Sequence, residues 1–421
     1  MDTTPGLAAR LGAVTLIGAV LDKGEILEEG RLGGRPEDRA QARTLAALVL
    51  RRLGQIDDII RRFATHAPKP PVNHLLRLVT AELCFAATPP HAALDMAVRA
   101  TKQAGAPRMT GLVNAVGRRI AEQGAGIVAA QDAAALALPG PLRAAIEADW
   151  GAAVTGAIAE AALTEAPYDL TPKKPDDAAA LAEALDGRLM PGGTIRLAPQ
   201  GQISRMPGFA EGRWWVQDAA AALPAHMMGD VAGRRVLDLC AAPGGKTMQL
   251  AALGAQVTAL DISKRRAEKI SQNLERTGLR AEIITADALT WAPERPFDAI
   301  LLDAPCSATG TLRRHPDLPH RDVARGLPAL IALQAQMLER AFGWLAPGGR
   351  LVYCTCSLFK AEGEDQVRAF LERTPDARLS PAELPAMPWA ITGGCLRTRP
   401  DHWTGEGGLD GFFAACLVRN S

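Results

Sequence analysis

The sequence predicts a multi-domain chain: an all-α bundle, a small α+β linker domain, then an α/β domain on a parallel sheet. Three observations carry this. Through residues 1–130, apolar positions recur at helical spacing between proline and glycine breaks. Residues 131–210 mix Ala-rich helical stretches with a Gly-rich section. From 211 to 421, short apolar strand runs alternate with amphipathic helical ones.

The composition sets limits. The 421 residues leave room for two to three domains at roughly 150 residues each. An apolar content of 48% with 22% charged residues excludes a mainly disordered chain. Lys plus Arg is 47 against 46 Asp plus Glu, so nucleic-acid contacts would have to come from local patches. The seven cysteines are scattered, at 84, 240, 306, 354, 356, 395 and 416, without a CxxC pair. That pattern argues against a disulfide framework and against a metal site. No apolar run reaches membrane-spanning length, and Leu11–Leu21 lacks the flanks of a secretion signal. The expectation is a cytoplasmic protein with no membrane partner.

In the first domain, Leu7, Leu11, Val14, Ile17 and Leu21 mark one helical face. Arg39–Phe63 reads as the next helical run, followed after Pro68, Pro70 and Pro71 by Asn73–Phe85. Pro89 and Pro90 precede a helix over His91–Ala104, and Gly105 and Pro107 precede Leu112–Ile120. Short breaks of this kind favour a compact bundle. Arg31–Arg62 holds eight Arg against four acidic residues, which fits an RNA-facing surface and a solvated helix face equally. The linker domain reads as helices near 141–164 and 176–186 and a weak strand through Thr194–Leu197.

The third domain reads strand Arg235–Cys240, helix Lys246–Leu253, strand Gln256–Leu260, helix Lys264–Thr277, strand Ala281–Thr285 and strand Phe297–Asp303. Helix Ala329–Leu345, strand Leu351–Cys356 and helix Glu364–Leu371 follow. In such sheets ligands sit at the carboxyl ends of the strands, where the polar residues of interest fall.

Cys240-Ala241-Ala242-Pro243-Gly244-Gly245-Lys246-Thr247 forms a glycine loop between strand and helix. It fails the P-loop pattern, because Cys240 stands at the first Gly position, and it lacks GxGxxG. The order of elements still describes a nucleoside-binding half of a Rossmann-like sheet. Asp261 stands 23 residues after Asp238, at the spacing of an acid that accepts from ribose hydroxyls. Asp287, beyond the third strand, has the acceptor an adenine amino group needs. Either acid alone fits a helix N-cap as well. Acids at successive strand ends beside a glycine loop make S-adenosylmethionine the leading ligand.

The fourth strand ends Asp303-Ala304-Pro305-Cys306-Ser307 and a later one Cys354-Thr355-Cys356-Ser357. A thiolate at this edge can add to carbon 6 of a pyrimidine, which makes carbon 5 nucleophilic. Asp303 can hold a proton near N3 of the ring as charge builds. Residue chemistry alone does not choose between Cys306 and Cys356 as attacker. Cys84, Cys240, Cys354, Cys395 and Cys416 read as packing thiols.

Together these motifs resemble the RNA cytosine-5 methyltransferases of the Sun (RsmB) group, over about residues 205–421. Gln217-Asp218 and Asp410-Gly411-Phe412-Phe413-Ala414 add to the resemblance. The first third resembles a NusB-type helical RNA-binding domain, through Thr88-Pro89-Pro90-His91, Gly111-Leu112-Val113-Asn114 and Arg118-Arg119. The combination implies methylation of a cytosine in small-subunit (16S) ribosomal RNA, naked or in a partly assembled subunit, and no DNA substrate. It implies that Cys356 attacks the base, that Cys306 assists product release and that Asp303 contacts the base. It also implies cofactor contacts at Cys240, Ala241, Ala242, Pro243, Gly244, Gly245, Lys246, Asp261, Asp287 and Asp303. Pro167–Lys173 lacks an Arg and an Asn that the family usually carries. Arg313-Arg314-His315 fits a phosphate contact or a solvated loop. Competing readings are the same chemistry on another RNA such as tRNA, a small-molecule methyltransferase, and a non-catalytic RNA-binding assembly factor. The paired thiols with Asp303 argue against the last two.

Overall fold

The structure is a computed structural model that describes residues 4–64, 66, 68–86, 88–198, 203–384 and 387–420. It divides into two compact units, one of residues 1–164 with 312–324 and one of residues 165–311 with 325–421. Of the segment 131–210, the part up to 164 therefore lies in the helical unit. Among the described residues no helix is long and apolar enough to cross a membrane.

The first unit is helical: α1 (Leu7–Lys23), α2 (Pro36–Arg51), α3 (Leu53–Phe63), α4 (Val72–Cys84), α5 (Pro90–Gln103), α6 (Thr110–Ala130), α7 (Ala133–Ala137) and α8 (Gly140–Ala162). Of the predicted face of α1, Leu7, Val14 and Ile17 are buried and Leu11 and Leu21 partly buried; the core also takes Leu16, Val49, Ile56, Ile59, Leu76 and Val113. Each such side chain contributes about 1.5–3 kcal/mol by leaving water. The predicted helix Arg39–Phe63 is in fact two, broken at Arg52, where the backbone turns to φ −106 and ψ 13. The last predicted helix runs ten residues past Ile120. There Gly124 packs flush on α4: a Cβ at that position would stand 2.7 Å from Cys84 Sγ.

The Arg-rich stretch is largely tied to its own unit. Arg35 pairs with Asp38, Arg62 with Asp58, and Arg51 donates to the carbonyls of Ala162 and Thr164. Arg313-Arg314-His315 lies in the segment 312–324 that belongs to this unit. Part of it is packed: Arg313 is 1% exposed and His320 Nε2 lies 2.8 Å from the Leu50 carbonyl, whereas Arg314 is half-buried and His315 is exposed.

The second unit begins with β1 (Tyr168–Pro172), α9 (Ala178–Ala184), β2 (Arg188–Leu189), β3 (Ile195–Leu197) and β4 (Trp214–Val216). These strands form a small antiparallel sheet in the order β2-β3-β1-β4. A buried pair holds it: Arg196 Nε and Nη2 each donate to Asp169 at 2.7 Å. Arg196 Nη1 also donates to the carbonyls of Glu406 and Gly408.

The large sheet follows. Its elements are α10 (Ala219–His226), β5 (Arg235–Leu239), α11 (Gly245–Ala252), β6 (Gln256–Asp261), α12 (Lys264–Thr277), β7 (Glu282–Thr285) and β8 (Phe297–Asp303). Then come α13 (Val323–Gly343), β9 (Leu345–Thr355), α14 (Glu364–Arg373), β10 (Ala377–Ser380), β11 (Ile391–Thr392), β12 (Cys395–Thr398) and β13 (Phe412–Arg419). The strands run β11-β12-β13-β9-β8-β5-β6-β7, with β10 also on β13. The core β9-β8-β5-β6-β7 is parallel, as the alternation predicted. The sheet is nevertheless mixed, since β13 adds antiparallel to β9 and carries β10 and β12. Phe297, Ile300, Leu302, Leu351 and Phe413 fill one core layer, and Val236, Leu301, Val352 and Ala414 fill another.

Candidate active site

Cys240, Asp261, Asp287, Asp303, Cys306 and Cys356 lie at or just beyond the carboxyl ends of the parallel strands β5 to β9. β5 runs into the loop 240–244, where Cys240 takes φ 61 and Gly244 φ 105. A non-glycine residue in the left-handed region costs about 1–3 kcal/mol and is held only by its surroundings. Gly244 turns the chain tightly into α11: a Cβ there would stand 3.3 Å from Ile270.

The acids expected around the loop divide by environment. Asp261, ending β6, accepts from the Ala242 amide at 3.1 Å and the Ser263 amide at 2.9 Å. It is not the N-cap of α12, which is Ser263. Asp261 therefore binds the glycine loop to the second strand, with Arg266 Nη2 3.5 Å from its Oδ2. Asp238 is fully buried, and its Oδ2 accepts from Thr247 Oγ1 at 2.5 Å. Burial pushes its carboxyl up to about 7. Among the described residues its Oδ1 has no hydrogen-bond partner. Asp287 follows β7 and accepts from the Leu289 amide at 2.9 Å, so it caps its own turn.

Lys246 joins the loop to the next strand. Its Nζ donates to Asp303 Oδ2 at 2.8 Å and stands 5.0 Å from the Phe412 ring centre. Burial is the largest influence on this ammonium and acts to lower its pKa, but the charge and hydrogen bond of Asp303, with the neighbouring Cys354 and Asp238, together raise it. Asp303 keeps about a third of its side chain exposed, at the mouth of the site. Cys354, read as packing, is fully buried beside Asp303, with Sγ 3.6 Å from Oδ1. Burial, then the Asp303 charge, raise its thiol well above the ordinary range.

The two singled-out thiols meet. Cys306 Sγ and Cys356 Sγ are 3.5 Å apart, and both side chains are half-buried. The hydrogen bond to Cys356, then burial, hold the Cys306 thiol well above its ordinary range. Backbone contacts fix the loops that carry them: Ala304 donates to the Cys354 carbonyl, and Gly310 to the Cys356 carbonyl at 2.8 Å. Gly310 in turn accepts from Gly411, which brings the Asp410-Gly411-Phe412 segment onto the Cys306 loop.

Two participants were not singled out from the sequence. Gly310 has no motif of its own. Glu362 lies in an ordinary acidic helix start, yet it is fully buried and accepts from Ser307, Ser357 and Gln334. Only the serines beside both cysteines hinted that an acceptor stood between them.

A glycine loop, a strand-end acid and paired thiols on a parallel sheet define an enzyme of the methyltransferase class. The family model described as 16S rRNA methyltransferase RsmB/F matches residues 225–418, and the NusB family model matches residues 8–122. A ribosomal RNA small subunit methyltransferase B of Xanthomonas campestris pv. campestris is 38% identical, over 99% of this chain and 98% of that protein. The protein of that name from Klebsiella pneumoniae subsp. pneumoniae is 35% identical, over 91% of this chain and 90% of its own. The crystal structure of PH0851 shares the fold, with a TM-score of 0.75 and 22% identity over 99% of both chains. The chain belongs to the RsmB/F family of 16S rRNA methyltransferases and carries a NusB-family domain at its N-terminal end.

Proposed function

We propose that this chain methylates carbon 5 of a cytosine in small-subunit ribosomal RNA, with S-adenosylmethionine as cofactor. The substrate class rests on the relatives, whose names specify the small ribosomal subunit. The observation that carries the chemistry is the pair of thiols 3.5 Å apart on the loops that follow Asp303 and Thr355.

Cys356, as thiolate, adds to carbon 6 of the ring and forms a carbon–sulfur bond. Electron density moves to carbon 5, and Asp303 holds a proton at the N3 edge while charge builds there. S-adenosylmethionine supplies the methyl group when bound. A base then takes the carbon-5 proton, the electron pair of that bond re-forms the carbon-5–carbon-6 double bond, the carbon–sulfur bond breaks, and Cys356 leaves as thiolate. Cys306 assists that release. The cytosine reaches the site in a loop or flipped out, because a stacked base hides its faces. The helical head, residues 1–130, binds the RNA.

The cofactor fits the residues present. The left-handed Cys240 and the unfilled acceptor of Asp238 suit a ligand lying on the loop. Residues 240–246 would hold it with Asp261, Asp287 and Asp303.

The test is nucleoside analysis. Protein, S-adenosylmethionine and 16S transcript, or partly assembled small subunits, are incubated and the RNA digested. New 5-methylcytidine is the expected product; a methyl group on any other nucleoside would overturn the proposal.

A further inference from the structure

The two reactive thiols are held by one buried carboxylate outside the motifs that carry them. Glu362 Oε1 accepts from the Ser307 amide at 2.9 Å and from Gln334 Nε2 at 2.9 Å. Its Oε2 lies 2.5 Å from both Ser307 Oγ and Ser357 Oγ. Ser307 follows Cys306 and Ser357 follows Cys356, so one side chain spans both loops. Glu362, Gln334, Ser357 and Thr309 are all 0% exposed. Water therefore does not compete for these bonds, and an unsatisfied member is costly.

The two cysteines do not depend on this hub equally. Cys356 directly follows β9, where Thr355 is in register with Phe413, and its carbonyl is held by Gly310. Cys306 lies past the end of β8. Gln334 holds the Pro305 carbonyl on one side of it, and Glu362 holds both the amide and the hydroxyl of Ser307 on the other. Ala308, two residues on, is in the left-handed region at φ 57, so the loop needs such anchors.

We propose that Glu362 is a positioning residue that fixes Cys306 against Cys356 and thereby governs release of the methylated base. This rests on the assignment of Cys356 as attacker and Cys306 as the release thiol. Loosening Glu362 displaces the less anchored thiol first. Attack continues, and the protein–RNA adduct outlives its normal breakdown.

The experiment compares wild type, Cys306→Ala, Glu362→Gln and Ser307→Ala. Each is given S-adenosylmethionine with ordinary 16S transcript, and separately with transcript containing 5-fluorocytidine. Adducts that survive denaturation are counted. Glu362→Gln and Ser307→Ala should accumulate adduct on ordinary RNA about tenfold above wild type, in the manner of Cys306→Ala. Their rate of adduct formation on 5-fluorocytidine RNA should stay within about threefold of wild type. A merely structural role would lower both signals together. Ser307→Ala keeps the carboxylate and decides the matter should Glu362→Gln fail to fold. Accumulation in Cys306→Ala but in neither other variant overturns the role of Glu362 and leaves the cysteine assignment standing. No accumulation in Cys306→Ala overturns the assignment itself.

Discussion

Gly310→Ala should damage the site more than its size suggests. Gly310 sits where two backbones cross, donating to the Cys356 carbonyl and accepting from Gly411, both at 2.8 Å. A Cβ on Gly310 would lie 1.9 Å from the Gly411 carbonyl oxygen and 2.6 Å from its carbon. Those atoms are backbone and cannot rotate away. An ordinary contact requires the strands to part by more than 1 Å, roughly the gap to van der Waals distance. Both hydrogen bonds are then lost, at about 1 kcal/mol each, and overpacking adds about 1–3 kcal/mol. The expected destabilisation is about 3–5 kcal/mol, read from urea unfolding at equilibrium. Adduct formation on 5-fluorocytidine RNA should fall with it, because the same crossing holds the Cys356 loop. A variant within about 1 kcal/mol of wild type that still forms adduct at full rate would refute the reasoning.

Three further outcomes follow from the geometry. Asp169→Ala leaves the Arg196 guanidinium buried without its bidentate partner and should cost about 3–5 kcal/mol in urea unfolding. Asp261→Asn must set a donor against the Ala242 or the Ser263 amide, since both carboxylate oxygens accept; calorimetry should show S-adenosylmethionine bound about 10–100-fold more weakly. Asp238 titrates near 7 when folded, against 3.8 ordinarily, so between these values the folded state holds a proton that the unfolded state releases. Its contribution to stability therefore falls as pH rises through that window. From pH 5 to 7 wild type should lose roughly 2–3 kcal/mol relative to Asp238→Asn, and parallel pH profiles would contradict the assigned burial.

Much of this was legible in the sequence, for reasons that particular elements illustrate. The parallel strands are buried on both faces and read as continuous apolar runs such as Ala299–Leu302. Cys240–Lys246, Asp303–Ser307 and Thr355–Ser357 stood out because loop geometry and reactive side chains restrict residue type there. The break at Arg52 was not legible, because the nearest punctuating residue, Gly54, lies inside the next helix. β12 and β13 were not read as strands, although the Asp410–Ala414 motif was noted. β13 is as buried as the parallel strands, but β11, β12 and β13 follow one another with no α-helix between them and so fall outside the strand–helix alternation. Glu362 was hidden for another reason: of its side chain's three partners only Ser357 is near in sequence, while Ser307 and Gln334 are 55 and 28 residues away. The attachment of 312–324 to the helical unit is likewise a tertiary fact that no local pattern encodes.

The most direct test of the central claim is the covalent trap itself. Protein, S-adenosylmethionine and 16S transcript made with 5-fluorocytidine are mixed, and denaturant-stable adduct is sought in wild type, Cys356→Ala and Cys306→Ala. Fluorine cannot leave as a proton does, so the carbon–sulfur bond to the attacking cysteine persists. The account predicts adduct in wild type and Cys306→Ala and none in Cys356→Ala. Adduct lost only in Cys306→Ala would reverse the two roles, and no adduct in wild type would contradict the mechanism altogether.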